Sequence, residues 1–227
     1  MMARTYARTD RTTPTRYRER ARYDHETVHR ILDEALICHL GYLDEGSPVV
    51  LPTTHARHRE VLYLHGSTGS GPMLAAAKAP AGLPVCVTVS LIDGLVLARS
   101  ALHHSLAYRS VIIRGAARVV VDPGEKREAL AALVDHVVSG RAADSRPPNE
   151  RELAMTAVLA LDLVEVSAKV RTGGPVDDPE DLALPYWAGV VPLTVAAGSP
   201  EPAGDLDPAI PLPSYLTPYR RTAPAGN

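Results

Sequence analysis

Ile37-Cys-His-Leu-Gly-Tyr-Leu43, Asp44-Glu-Gly-Ser-Pro48 and Val49-Val-Leu-Pro-Thr-Thr-His55 follow one another directly, so that two apolar runs flank a cluster of turn residues. That pattern predicts a β-hairpin, and a third run, Val61 to His65, lies across a second break at Ala56 to Glu60. The same short format recurs in Val85 to Leu91, Leu95 to Ser100 and Val111 to Val121, with Asp93-Gly94 as a tight-turn signal. Val158 to Val170 is the last long strand candidate. Many short strands with few helices predict a mainly β fold with flanking helices, an antiparallel barrel or sandwich. Alternating βαβ units are disfavoured.

Helices punctuate this series. Asp24 is placed to cap one in which Val28, Ile31, Leu32, Ala35 and Leu36 recur at helical spacing. Asp122-Pro-Gly-Glu125 reads as a capping box with proline at the first helical position, opening a helix through Leu130, Leu133, Val134 and Val137. A polar stretch, Ser139 to Asn149, leads to a shorter helix near Glu150 to Met155.

The chain has 227 residues, of which 45% are hydrophobic, enough for a substantial core and incompatible with wholesale disorder. Phe is absent and Trp187 is the single tryptophan, so the core must come from Ala, Val, Leu and Ile. A net charge of −2 argues against a globally basic nucleic-acid binder. Seven arginines in residues 1–22 make that segment +5 and leave −7 elsewhere, which suggests an arm that is solvated or lies across a partner subunit. Residues 23–193 carry the periodic elements, and 194–227 form a tail rich in Pro, Ala and Gly. No apolar run reaches the ~18 residues of a membrane span. The N-terminus lacks the apolar core of a signal peptide, so a cytoplasmic location is expected. Cys38 and Cys86 suit buried apolar positions rather than a disulfide framework.

Three stretches carry candidate chemistry. Tyr63-Leu-His65-Gly66-Ser67-Thr68-Gly69-Ser70-Gly71-Pro72 ends a strand in a Gly/Ser-rich turn, whose hydroxyls and amides suit a phosphate. It is neither a Walker A loop nor GxGxxG, and a polar helix cap explains the same residues. Ser100-Ala-Leu-His103-His104-Ser105 precedes Tyr108-Arg109-Ser110-Val111, where alternation sets Tyr108 and Ser110 on one face and Arg109 on the other. Adjacent histidines diverge on an extended chain, and no His/Cys cluster with zinc spacing stands out, so no metal ligands are expected. Lys169-Val-Arg171-Thr-Gly173-Gly174 places two cations on one face, suited to an anion or to the outside of an edge strand. The indole of Trp187 suits a planar ligand. Asp177-Asp178-Pro-Glu180-Asp181 reads as a solvated loop.

Taken together, these segments resemble the pyridoxamine 5′-phosphate oxidase-like superfamily, in particular the flavin-binding branch related to nitroimidazole-resistance reductases. The resemblance is carried by Arg20-Ala-Arg-Tyr23-Asp24, Tyr63 to Ser70, Val85 to Val89, Asp93 to Ser100, His103 to Ser105, Tyr108 to Val111 and Ala168 to Thr172, in order over roughly residues 15 to 193. It implies an FMN-binding split β-barrel, a homodimer with FMN between the subunits, and an oxidoreductase acting on a small-molecule substrate. It places the flavin phosphate near His65, Gly66, Ser67, Thr68 and Ser70 and the ring beside Val87 and Thr88. Tyr108, Arg109 and Ser110 would line the same groove, with His65 and His104 as candidate proton donors. Two positions depart from the family pattern: Gly71-Pro72 where a basic residue is common, and Ala107 where a polar one is common. The alternatives within this fold are a haem protein with a histidine axial ligand and a non-enzymatic flavin-binding or regulatory module. Neither nucleic acid nor a membrane is expected as a partner.

Overall fold

A computed structural model describes residues 4–217 and Tyr219. The last residues of the tail, and residues 1–3 of the arm, lie outside the described residues. Nine antiparallel strands make up the sheet: β1 (Ala21–Arg22), β2 (Ile37–Asp44), β3 (Ser47–His58), β4 (Val61–Ser67), β5 (Leu83–Leu97), β6 (Ser105–Val119), β7 (Thr156–Asp162), β8 (Glu165–Arg171) and β9 (Gly189–Pro192). The pairings run β6–β7–β4–β3–β2–β5, and β5 pairs again with β6, so six strands close into a ring. Two of them change neighbours to do so. β3 pairs with β2 through residues 47–54 and with β4 through 55–58. β6 lies along β5 while meeting β8 through Tyr108–Arg114 and β7 through Arg118–Val119. The result is a split barrel, with β8 and β1 leaving it at β6 and β9 at β5.

Period-2 alternation fills the barrel. Leu40, Leu62, Leu64, Val87, Val89, Val111, Ile113, Leu159, Leu161 and Val166 point inward and are fully buried, forming one continuous core. The helix α1 (His25–Glu34) plugs it with Val28, Ile31 and Leu32, and Asp24 caps that helix by accepting from the Thr27 amide at 2.8 Å. The short α2 (Gly71–Ala77) follows β4. The longer α3 (Pro123–Val137) lies on the outside of the barrel, where Ala129 packs on Tyr63, Val158 and Ala160 in a second, smaller core. α4 (Glu150–Met155) leads into β7, with a complete capping box between Asn149 and Glu152. No helix is long and apolar enough to cross a membrane among the described residues.

Several boundaries differ from expectation, each for a tertiary reason. Ala56–His58 continue β3 rather than forming a break, because β4 supplies their partners. Asp93-Gly94 is a bulge within one long β5, where the pairing with β6 slips between Ile92 and Gly94. Val158 to Val170 is two strands, turned at Leu163-Val164 without Gly or Pro because the Leu163 amide donates to the Glu60 carbonyl at 2.9 Å. At α3 the Asp122 side chain caps the Glu125 amide, yet Glu125 does not reciprocate. Its carboxylate accepts instead from Arg118 and, at 3.0 Å, from the Tyr63 hydroxyl, and burial together with that bond pushes the Tyr63 phenol up to about 12. Cys38 is buried in the core as expected, whereas Cys86 is only half-buried on the outer face of β5.

The arginine-rich arm lies on its own subunit. Tyr6 is buried in the main core, its amide donates to the Tyr23 carbonyl at 2.8 Å, and the Tyr23 hydroxyl donates to the Thr12 carbonyl. The tail is exposed but tethered: the Tyr215 hydroxyl donates to Asp144 at 2.6 Å and the Tyr219 hydroxyl to the Val137 carbonyl at 2.9 Å.

Gly82 turns the chain from α2 into β5 at φ +92°, and an added Cβ would stand 2.9 Å from that of Ala116. Gly82→Ala therefore combines a left-handed backbone with a clash against β6. It should lower the unfolding free energy by about 1–3 kcal/mol in urea titration.

Candidate functional site

Two surfaces of the barrel wall carry the groups with chemical potential, and the barrel's alternation separates them. The first is the outer face of β5, β6 and β8. The pairings Thr88↔Ile112, Ser90↔Ser110, Tyr108↔Arg171 and Ser110↔Lys169 set Thr88, Tyr108, Ser110 and Lys169 on one side of the sheet. All four are half-buried, and Ile92, Leu106 and Ile112 beside them are exposed apolar residues. Such a face suits a flat, partly polar ligand or a second protein surface.

Not every residue expected at this face presents its side chain there. Val87 points into the core and is fully buried, so only its backbone is available. Arg109 has the opposite alternation, and its guanidinium is enclosed by acids. It makes paired hydrogen bonds to Asp93, at 2.6 and 2.9 Å, and to both carboxylate oxygens of Glu34. The bonds to Asp93 and Glu34 raise its pKa further, fixing it as a cation. It ties α1 to the β5 bulge rather than offering an anion site. Arg171 is buried and donates to the Leu106 carbonyl at 3.0 Å. Lys169 lies near the ring of Tyr17, between β6 and the two-residue β1, so it does not stand on a free edge. Trp187 is 66% exposed and packs over Gly189 at the start of β9.

The Gly/Ser turn closes β4. The Ser70 hydroxyl donates to the Ser67 carbonyl at 2.8 Å, which occupies its one proton, and the Gly69 amide donates to Oγ of Ser67 at 3.3 Å. Ser67 and Thr68 are exposed, and Ser67 keeps its own hydroxyl proton for a ligand.

The second surface is a cavity of about 880 Å³ between α3, the loop 142–148, α4 and the strands β3 and β4. Leu130, Leu133, Val134 and Val137 from α3, with Pro147 and Pro148, give it apolar walls. His65 and Thr54 stand on its floor, and Arg127 and Arg146 on its rim pair with Glu150 at 2.5 Å and Glu152 at 2.7 Å. His65 shares the outward face of β4 with Tyr63, but α3 covers only Tyr63. The His65 imidazole is exposed to the cavity, with no hydrogen-bond partner among the described residues. An apolar cavity with an imidazole and two arginines among its lining residues suits a large, flat, anionic ligand.

The paired loop histidines are elsewhere. His104 is exposed, with Nδ1 3.0 Å from the Ser100 carbonyl, and His103 pairs with Asp178 at 3.1 Å. The acidic run is not simply solvated. The side chain of Asp177 is 1% exposed and accepts from both the amide and the guanidinium of Arg99. Sequence reasoning missed His55, fully buried, and His136. They donate to the Leu32 carbonyl at 2.9 Å and to the Ala35 carbonyl at 2.7 Å, satisfying the end of α1. Neither sits in a local motif, so only the packing reveals them.

A split antiparallel barrel with these two surfaces defines the class to which the chain belongs. Residues 24–170 match the Pyridoxamine 5′-phosphate oxidase family, and the chain is a member of it. Among solved structures it is similar to the flavocytochrome Anf3 from Azotobacter vinelandii, at 42% identity over 93% of this chain and 97% of that one, with a TM-score of 0.85. It is also similar to the FAD and haem binding protein from Mycobacterium smegmatis, at 36% identity over 90% of this chain and 98% of that one, TM-score 0.82. A protein described as conferring 5-nitroimidazole antibiotic resistance, from Bacteroides thetaiotaomicron, matches at 25% identity over 66% of this chain and 86% of that one, TM-score 0.55. No curated protein matches the chain.

Arg109 bridges two acids, so its removal takes from Asp93 and Glu34 the guanidinium they share. Arg109→Ala should reduce stability by about 1.5–3 kcal/mol in chemical denaturation.

Proposed function

We propose that this chain is a redox protein binding both a flavin nucleotide and haem, with His65 as the residue that would hold the haem iron. The observation that carries the reading is His65 itself, an imidazole that lines an apolar cavity and has no hydrogen-bond partner among the described residues. Likeness to a flavocytochrome and to an FAD and haem binding protein over nearly the whole chain supports it.

The residues divide the work. Leu130, Leu133, Val134 and Val137 exclude water from the cavity and bury a hydrophobic ring. His65 would offer a ring nitrogen, and Arg127 and Arg146, paired here with Glu150 and Glu152, would be the cations available to carboxylate substituents. Ser67 and Thr68 offer hydroxyls to a phosphate. Thr88, Tyr108, Ser110 and Lys169 give the outer face of β5–β6–β8 the polar groups to orient an isoalloxazine ring. A second copy of the chain, covering exposed Ile92, Leu106 and Ile112, would close that face as a homodimer. When bound, the two groups supply hydride and one-electron chemistry that side chains lack. His104, on an exposed loop, is left as the candidate proton donor to a small-molecule substrate.

The flavin in this reading is FMN, as the family resemblance implies, or FAD, the flavin named for the Mycobacterium smegmatis neighbour.

The absorption spectrum of the purified protein should show flavin bands together with a Soret band. In His65→Ala the Soret band should vanish or shift while the flavin remains. A Soret band unchanged in that variant would remove His65 from the haem site, and its absence from the parent protein would leave a flavoprotein only. Ser67→Ala should weaken flavin retention by about 1.5–3 kcal/mol, the value of one hydrogen bond to a charged group, as measured by equilibrium dialysis. Ser70→Ala should do less, because its proton already serves the turn.

A further inference from the structure

At the far end of β4 from His65, three segments of chain that are distant in sequence bring nitrogen and oxygen donors together. His25 and His29 stand one turn apart on α1 and so face the same way. Glu60 comes from the β3–β4 turn, directly after Arg59, which holds a left-handed backbone at φ 54°. Tyr6 comes from the N-terminal arm. Nδ1 of His25 lies 3.0 Å and Nε2 of His29 3.5 Å from the same oxygen of Glu60. The Tyr6 hydroxyl oxygen is 2.9 Å from Nε2 of His29 and 2.9 Å from the other Glu60 oxygen. The Tyr6 ring stacks on that of His25 with centroids 4.0 Å apart, which fixes both planes.

We propose that His25, His29 and Glu60, with Tyr6 closing the set, bind a divalent transition cation of the zinc type that staples the N-terminal arm to α1 and to the β3–β4 turn. The spacing supports this choice. Donors bound at ~2.0–2.1 Å around a tetrahedral ion lie about 3.3 Å apart. Here one Glu60 oxygen lies 3.0 and 3.5 Å from the two histidine nitrogens, the Tyr6 hydroxyl lies 2.9 Å from Nε2 of His29, and one ligand atom from each of His25, His29 and Glu60 lies within 4.8 Å of the others. The donor chemistry supports it as well. Two imidazoles, one carboxylate and one phenol suit a borderline cation, whereas calcium and magnesium call for six or more oxygens. The side chains of His25 and His29 are 18% and 21% exposed, shielded yet reachable by an ion. Four protein donors leave no open coordination position, so the site is structural rather than catalytic. Its consequence is mechanical: the arm is otherwise held near Tyr6 by backbone bonds to residues 23–25, and an ion would lock it to the barrel. The haem and flavin of the preceding reading play no part in this site.

The test uses the full chain, first treated with a chelator and then titrated with Zn²⁺ against a chromophoric competitor. One equivalent should bind per chain. His29→Ala and Glu60→Gln should each weaken that binding by about 100-fold or more, the glutamine keeping the shape and hydrogen bonds of the turn. His65→Ala should retain it, which separates this site from the cavity. Tyr6→Phe should weaken it by about 10-fold or more, because it removes the fourth donor and opens a coordination position. Hydrogen exchange of residues 4–12 should slow when Zn²⁺ is added. Absence of a saturable equivalent, or its survival in both His29→Ala and Glu60→Gln, would overturn the site. Unchanged affinity in Tyr6→Phe together with unchanged exchange in the arm would overturn the staple.

Discussion

Strand β6 carries the architecture, because it must satisfy three partners at once. Along its length it pairs with β5, while its first half meets β8 and its last residues meet β7. That change of partner closes the ring, since β7 leads through β4, β3 and β2 back to β5. Closure removes exposed edges from the six barrel strands and encloses a core of small and medium aliphatic side chains. A chain without phenylalanine can fill so narrow an interior. Gly115 marks how tight the fit is, for a Cβ there would stand 2.8 Å from the Leu161 side chain.

Once the ring is closed, alternation decides what each polar residue can do. Residues of one parity enter the core, and those of the other stand on the outer wall, where helices and loops cover some and leave others open. α3 covers Tyr63 and stops short of His65, and the difference between a buried phenol and an available imidazole two residues apart is the position of one helix. Arg109 illustrates the opposite outcome. Its parity turns it from the polar face to the barrel end, where Glu34 and Asp93 neutralise it. A guanidinium held by two carboxylates is a fastener, and moving it to a ligand would break the ion pairs with Asp93 and Glu34.

Much of the organisation was legible in the chain itself. Period-2 runs announced the antiparallel strands, and Asp24 and Asp122 cap the helices that follow them. The Gly/Ser turn after β4 and the polar residues of β6 and β8 stood out by local composition. The arm proved harder, because its arginines suggested solvation while the buried residue that fixes it is Tyr6. The acidic run misled similarly: Asp177 reads as solvated until Arg99, distant in sequence, is seen to bury it.

The elements were readable from the chain alone, since hydrophobic period, turn residues and caps act between neighbours and need no distant partner. Family likeness added the class of fold those elements build. Which polar groups are available and which are occupied was settled by packing between distant segments. His65 beneath the α3 cavity, Arg109 between two acids, and His25 with His29 and Glu60 all depend on residues brought together from separate segments. Whether a side chain is a ligand, a fastener or a cap is set by burial and by the charges facing it, and those exist only once the ring has closed.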